Sequence, residues 1–466
     1  MTPLWTSDEI AAAVGGKASA AFAVSGVAFD SREVGPGDLF VAMKGEAADG
    51  HAYVDTAFAA GAAGAIVSTP VAGPHVLVED SFAALRALGK AARARGSAQI
   101  VGVTGSVGKT GTKEALFHAL DRAGPGGAHR SVKSYNNHVG VPLSLARMPR
   151  DSAFGVFEMG MNHAGELADL TRLVRPNVAI ITAIAPAHIE FFDSEEGIAD
   201  AKAEIFEGLE PGGTAIIPYD SPHATRLYNK AERHAARIWT FGTGKGADVR
   251  AIEAVPSESG GTLVTATLPG ADICFTIGAP GDHWVGNALA VLAAVEAVGG
   301  DLAAAGLALA ELPGLPGRGA RTILHVDGRQ ALLIDESYNA NPLSMAATLR
   351  SLSREKAVRR VAVLGAMKEL GTRSADLHAG LGDPIEAARV DYAILVGPDM
   401  APLAERLAGS VSVAHVADAD GARALLRDAV QPGDAILVKG SNSIGLSRVV
   451  AAVTAAYAAK ADGEQA

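Results

Sequence analysis

The segment Gln99-Ile100-Val101-Gly102-Val103-Thr104-Gly105-Ser106-Val107-Gly108-Lys109-Thr110 constrains this chain more than any other. An apolar run that stops in a glycine-rich loop and then opens a helix reads as a buried strand feeding a phosphate-binding turn. Glycines let backbone N–H groups approach phosphate oxygens, and the helix N-terminus adds partial positive charge. In that setting Lys109 reaches the β and γ phosphates and the Thr110 hydroxyl meets Mg²⁺. The usual spacing has glycine five residues before the Gly-Lys pair; Val103 stands there, with Gly102 one place early. An ordinary glycine-rich strand–helix turn is the alternative, and Gly-Lys-Thr in strand–loop–helix context favours nucleotide binding over it. Such a loop names a nucleotide, not a reaction.

The rest of the chain repeats the same alternation. Strands are expected at Phe154–Glu158, 178–184 and 214–217, with helices over 109–122, 165–174 and 195–209. Strands alternating with helices imply a parallel sheet covered on both faces. Upstream, short apolar runs at 40–43 and 65–67 flank a helix over 55–63, and an alanine-rich helix over 82–95 ends at an expected hinge, Gly96-Ser97. Residues 237–280 alternate at short range and suggest a small antiparallel insert, followed by a helix over 285–298. Leu312-Pro313-Gly314-Leu315-Pro316-Gly317 is the clearest linker, and strands recur after it at 331–334, 361–364, 392–396 and 435–438. The expected fold is α/β in three domains. Residues 1–97 form an α/β N-terminal domain and 98–314 a central P-loop ATPase-type parallel sheet with the antiparallel insert. Residues 315–466 form a doubly wound, Rossmann-like C-terminal domain.

Composition removes several classes of function. Forty Lys+Arg against 51 Asp+Glu leave a net charge of -11, which argues against a nucleic-acid-binding surface while allowing a local basic pocket. Cys274 is the single cysteine, so an internal disulfide, a cysteine zinc site and a CxxC redox pair are excluded. With no apolar stretch long enough to span a bilayer and no basic, apolar leader at the N-terminus, a cytoplasmic location is expected.

Three residues stand at or beyond strand ends, where open parallel sheets bind ligands. Glu158 ends its strand, His188 follows the strand at 178–184, and Lys202 lies on the next helix. Glu158 and His188 are candidate holders of Mg²⁺, directly or through water; a capping carboxylate and a solvated loop histidine are the alternatives. On helical spacing Lys202 shares a face with Ile198, Ile205, Phe206 and Leu209, while Glu204 and Glu207 fall on the other side. It is therefore either a lysine with a buried stem and solvated tip or one aimed into the site. A free ammonium there is repelled by Mg²⁺, whereas a carbamylated lysine is a good metal ligand. The residue pattern alone leaves both open.

Three motifs together resemble the Mur ligase family of peptidoglycan synthesis: Thr104–Thr110, then Glu158-Met159-Gly160-Met161-Asn162-His163-Ala164-Gly165-Glu166, then His188 with Ala201-Lys202-Ala203-Glu204-Ile205-Phe206. Three more are similar to the branch that adds a dipeptide: Asn136-Asn137-His138-Val139-Gly140-Val141-Pro142, Asp335-Glu336-Ser337-Tyr338-Asn339-Ala340-Asn341-Pro342 and Leu364-Gly365-Ala366-Met367-Lys368-Glu369-Leu370-Gly371. The resemblance implies ATP-dependent joining of D-Ala-D-Ala to UDP-N-acetylmuramoyl-tripeptide through an acyl phosphate, its nearest rivals being ligases that add one amino acid and folate-polyglutamylating enzymes. A nucleotide-driven conformational switch is the rival from another class.

The same resemblance implies roles residue by residue. Gly105, Ser106, Val107, Gly108, Lys109, Thr110 and Gly111 would bind ATP, with Asn287 at the adenine and Arg318 and Asp335 arriving from the C-terminal side. Lys109, Glu158, His188 and Lys202 would be catalytic. Two Mg²⁺ ions are implied, held by Thr110, Glu158, His188 and a carbamylated Lys202. Ser31, Arg32 and Lys44 would hold the UDP-sugar, and Asn136, Asn137, Asn339 and Asn341 would complete the substrate sites. Lys439 is a further anchor near them. A monomer is expected.

Overall fold

The strand Gln99–Thr104 lies inside a nine-stranded sheet whose spatial order is Asp272–Ile277, Thr262–Thr267, Val249–Pro256, Arg237–Gly242, Thr214–Pro218, Val178–Ile181, Gln99–Thr104, Phe154–Glu158 and Ala128–Arg130. The computed structural model describes residues 2–45, 48–123, 127–186, 189–257 and 261–458. After Gln99–Thr104 the chain goes to the outer edge, returns through Phe154–Glu158, and then crosses to Val178–Ile181 on the other side. Strand order reverses there, so the glycine loop opens at the topological switch point.

Side-chain alternation explains the layers. Val101, Val103, Val156, Val178 and Ile180 face Ala115, Leu116, Ala119 and Leu120 of the helix Lys109–Ala123. Ile100, Phe157, Ala179 and Ile181 point the other way, toward Leu167, Leu170 and Val174 of Glu166–Val174 and Ile198 of Glu195–Ala203. Burial on both faces is why these strands are continuous apolar runs.

Two boundaries differ from expectation for packing reasons. The helix expected over 195–209 becomes a 3₁₀ turn at Glu204–Gly208. Thr171 Oγ1 donates to the Ile205 carbonyl at 2.7 Å, and a Cβ on Gly208 would sit 2.2 Å from the Thr171 carbonyl oxygen. The strand expected over 178–184 ends at Ile181, because Thr182 turns its hydroxyl onto the glycine loop. The antiparallel segment is present, but it extends the main sheet. Arg237–Gly242 pairs in parallel with Thr214–Pro218, and the last three strands run antiparallel on that edge.

The N-terminal domain carries a five-stranded sheet ordered Lys17–Ala18, His75–Leu77, Gly64–Val67, Asp38–Val41, Gly26–Ala28. Its helix Ser81–Arg95 packs on the fully buried helix Gly140–Ala146 of the central domain. The C-terminal domain has six strands ordered Ala320–Val326, Arg329–Glu336, Asp434–Lys439, Arg359–Gly365, Tyr392–Val396, Ser412–Val416. Only the first pair is antiparallel. Both edge strands of this sheet escape sequence reading, since they mix polar and apolar residues with half-open faces. Among the described residues no helix is long and apolar enough to cross a membrane.

Candidate active site

A cavity of about 350 Å³ opens beyond the carboxyl ends of the central strands and is closed from the opposite side by the C-terminal domain. Ser106 to Gly111, Asn136, Glu158 and Asn287 line it from the central domain; Arg318, Asn339, Asn341 and Lys439 line it from the other.

The glycine loop is held in one shape by its neighbours. Gly105 has φ +149°, and a Cβ there would lie 2.0 Å from Thr182 Oγ1. Gly108 has φ +87°, and a Cβ would lie 2.8 Å from Asn287 Oδ1. Neither position accepts a side chain. Thr182 Oγ1 donates to the Val107 carbonyl, and the Ser106 hydroxyl both donates to the Ala185 carbonyl at 2.9 Å and accepts from the Ala185 N–H at 3.0 Å. Lys109 Nζ donates to the Gly105 carbonyl at 2.6 Å, folded back over the loop. Burial pulls the Lys109 pKa below the ordinary lysine value; Glu158 opposes that shift and Arg318 reinforces it. An ammonium in this position gains strongly from an arriving polyphosphate.

Glu158 is 1% exposed. Its Oε2 accepts from Thr110 Oγ1 at 2.9 Å and its Oε1 from Asn136 Nδ2 at 2.8 Å. The Thr110 hydroxyl and the Glu158 carboxylate are adjacent hard oxygen donors at the mouth of the loop, a set that suits Mg²⁺, which takes few protein oxygens and keeps waters. No group of three or more His, Cys, Asp or Glu side chains converges as a metal cage among the described residues. Lys202 is 1% exposed, inside the apolar stripe its spacing implied, and it does not line the cavity. Burial drives its pKa well below the ordinary value, and the nearby Lys109 lowers it further. His188 lies outside the described residues.

From the C-terminal side, the Arg318 guanidinium lies 4.2 Å above the Tyr338 ring and reaches Ser134 Oγ at 3.5 Å. Asn341 caps the helix Pro342–Ser353, and its side chain accepts from the Ser344 N–H at 2.9 Å. Lys439 Nζ donates to the Asn339 carbonyl at 2.9 Å and pairs with Glu336 at 3.4 Å; burial lowers its pKa while Glu336 opposes the shift. Asp335 does not line the cavity. Its carboxylate accepts from Gly317 N–H at 2.8 Å and from the Ser337 hydroxyl at 2.6 Å, which fixes the linker that presents Arg318.

Ser31, Arg32 and Lys44 lie apart, on the N-terminal domain. The Arg32 side chain is 87% exposed and held in a fork by Asp30, whose carboxyl it draws down to about 2. Asn137 also lies off the cavity, its Oδ1 accepting from the Gly140 N–H at 2.9 Å. Sequence reading missed Thr182, Ser134 and Glu336. Thr182 and Ser134 have no motif of their own, and Glu336 is paired with Lys439 by strand register.

Comparison with known proteins agrees with this geometry. Three family models match in chain order: "Mur ligase family, catalytic domain" over residues 23–97, "Mur ligase middle domain" over 103–295 and "Mur ligase, glutamate ligase domain" over 322–442. The chain belongs to the Mur ligase family. A relative in Escherichia coli strain K12, UDP-N-acetylmuramoyl-tripeptide–D-alanyl-D-alanine ligase, is 36% identical over 92% of this chain and 93% of its own length. The crystal structure of MurF from Acinetobacter baumannii superposes with a TM-score of 0.84 at 29% identity, covering 98% of this chain and 99% of that one. MurF ligase from Thermotoga maritima in complex with ADP superposes with a TM-score of 0.75 at 28% identity, covering 92% and 97%.

Proposed function

We infer that this chain is an ATP-dependent amide ligase. It joins D-Ala-D-Ala to the C-terminus of UDP-N-acetylmuramoyl-tripeptide and yields ADP, phosphate and the UDP-linked pentapeptide precursor of peptidoglycan. The observation that carries the reading is a shared cavity in which a phosphate loop and a buried carboxylate face Arg318, Asn339 and Asn341 from another domain. A nucleotide switch needs the first half of that cavity only; a ligase needs both.

The chemistry follows from what a carboxylate lacks. It is a poor electrophile, so its oxygen first takes the γ-phosphoryl group of ATP, and the bond to the β-phosphate oxygen breaks. The dipeptide amine then attacks the carbonyl carbon of this acyl phosphate. The tetrahedral intermediate expels phosphate, and the amine loses its proton. Two anions must meet in the first step, and Lys109 from the loop and Arg318 from the linker are placed to offset their repulsion. Asn287 packs against Gly108 where the base of the nucleotide would lie, and Asp335 orients the linker. Asn339 and Asn341 face the dipeptide, and Asn136 steadies Glu158. Ser31, Arg32, Lys44 and Asn137 hold the UDP-sugar end, where a guanidinium fork suits pyrophosphate.

Thr110 and Glu158 would hold Mg²⁺, which neutralises phosphate charge when bound. Lys202 is proposed to be carbamylated and, with His188, to hold a second ion. Its burial supports this, because burial destabilises the ammonium form and favours the neutral amine, the form that adds to CO₂. We propose domain limits of 1–97, 98–314 and 315–466, and a cytoplasmic monomer.

The test is phosphate release. It should require both UDP-N-acetylmuramoyl-tripeptide and D-Ala-D-Ala, with pentapeptide formed in step. Release at the same rate without either substrate would favour the switch. Lys202→Ala should remove ligation, and full activity in that variant would end the carbamate role.

A further inference from the structure

Lys113 is a fully buried lysine with no place in the reaction above. It lies one turn after Thr110 on the helix Lys109–Ala123. Its Nζ donates to the main-chain carbonyl of Lys133 at 2.8 Å and pairs with Glu114 at 2.8 Å; Glu114 in turn pairs with Arg130 at 2.7 Å. A buried ammonium is costly unless paired, and an apolar side chain of the same length would fill this space without that cost. What the ammonium does instead is hold a loop.

The loop, residues 131–136, grips Glu158 from two sides. Ser131 Oγ accepts the Glu158 N–H at 3.1 Å, and Asn136 Nδ2 donates to the Glu158 carboxylate at 2.8 Å. The Asn136 carbonyl accepts from Gly160 N–H at 2.8 Å, just past the strand. Hydrogen bonds thus close a ring: Thr110 to Glu158, Glu158 to Asn136, along the loop to Lys133, from Lys133 to Lys113, and along the helix back to Thr110. Lys133 has φ +52°, a left-handed conformation that a residue with a side chain keeps only when its surroundings hold it. Its ammonium pairs with Glu33 of the N-terminal domain, and Tyr135 Oη donates to the same carboxylate at 2.8 Å. Ser134, between them, is the group Arg318 reaches.

We propose that Lys113 is a positioning residue for the divalent-cation site, setting loop 131–136 and, through Asn136 and Ser131, the Glu158 carboxylate. Glu33 and Tyr135 anchor the loop's other side. The inference rests on the reading of Thr110 and Glu158 as the Mg²⁺ donors.

The experiment is calorimetric titration of Mg²⁺ into protein mixed with the β,γ-imido analogue of ATP, beside ADP binding without metal. For Lys113→Met the Mg²⁺ midpoint should rise about tenfold, as for loss of a residue that orients a ligand. Metal-free ADP affinity should stay near wild type. Lys113→Arg, which keeps a donor, should restore most of the midpoint. A purely structural lysine would instead weaken both affinities together, and that result overturns the proposal, as does an unshifted midpoint. Should Lys113→Met fail to fold by thermal melt, Tyr135→Phe decides: a midpoint raised about twofold supports the proposal, and an unmoved one overturns it. Glu158→Gln separates the two levels. If it abolishes the Mg²⁺ dependence while Lys113→Met does not move it, only this inference falls. If wild-type binding of the analogue ignores Mg²⁺ or Glu158→Gln changes nothing, the metal reading itself falls.

Discussion

The N-terminal and C-terminal domains meet the same central sheet through different contacts. At the first junction, donors from one domain reach main-chain carbonyls of the other: Trp5 Nε1 to Ala146 at 2.8 Å, Arg93 to Val174 and Arg175, Arg95 to Met148, and Arg147 to Val27 at 2.6 Å. Ile10, Leu85 and Leu88 share one apolar cluster with Leu143 and Ala146, and Gly89 comes so close that a Cβ would lie 2.8 Å from the Pro142 carbonyl oxygen. At the second junction an apolar cluster also runs across, but the polar links are sparse. Among the described residues they include the long Arg318–Ser134 contact, the exposed Arg354–Asp282 ion pair and a Glu190 N–H to Glu369 carbonyl bond at 3.2 Å. The cavity interrupts that junction. A close-packed seam fixes a domain, whereas a seam with an opening built into it leaves room for one to move. The linker at Leu315–Gly319, steadied by Asp335, is where the C-terminal domain would turn if it moves.

Locking the second junction should have the largest effect. A Cβ at Gly371 would lie 3.5 Å from that of Glu190, within disulfide reach. In a Glu190→Cys, Gly371→Cys protein with Cys274 replaced by serine, oxidation should slow turnover ~10³-fold by blocking entry and exit. Reductant should restore it. Phosphate release measured before and after reduction checks this, and equal rates would mean that the C-terminal domain need not move.

The stability of the two seams should differ in the same sense. Trp5 is buried, hydrogen-bonded and covered by the Arg95 guanidinium at 3.5 Å. Trp5→Ala should lower unfolding free energy by about 3 kcal/mol. Arg354→Ala, which removes an ion pair in solvent, should change it by less than ~0.5 kcal/mol. Denaturant unfolding of the two variants tests the contrast, and equal losses would erase it.

What could be read in the sequence follows the range of the interaction. The glycine loop, Glu158 at a strand end and Lys202 in an apolar stripe are local patterns, and the structure places each in the strand or helix its pattern implied. Thr182 on the loop, Ser131 under Glu158 and Glu336 beside Lys439 depend on which strands are neighbours, and nothing within a window of ten residues reports that. Asp335 shows what a motif leaves out: the family resemblance implies an ATP contact, and the sequence does not show that both its oxygens also accept from the Gly317 and Ser337 N–H groups. The N-terminal seam is equally hidden, since Arg93 and Arg95 lie on an alanine-rich helix whose local pattern does not name its partner.

Arg318 sharpens the comparison at the second seam. Stacked on Tyr338 and lining the same cavity as Lys109, it is a charge that the C-terminal side contributes to the site. Arg318→Lys keeps the charge but loses the planar fork and the stacking. Turnover should fall about tenfold, with the unfolding free energy unchanged. A fall in stability without a fall in turnover would assign Arg318 to holding the seam together instead.

The smallest effect concerns acid at the first seam. His129 lies on the edge strand Ala128–Arg130 and its Nε2 donates to the Ser144 carbonyl at 2.8 Å, on the helix that supports the N-terminal domain. Burial pushes its pKa down to about 4, against an unfolded value of about 6.5. The unfolded chain therefore binds more protons between those values, so stability is full above pH 6.5 and declines as pH falls toward 4. The ring keeps some contact with solvent, which limits the loss to on the order of 1 kcal/mol. His129→Gln retains an N–H for Ser144 without the titration, so its unfolding free energy should fall less steeply than wild type across that window. Parallel pH profiles for the two proteins would show that the histidine is solvated, and that the first seam is no more sensitive to acid than the second.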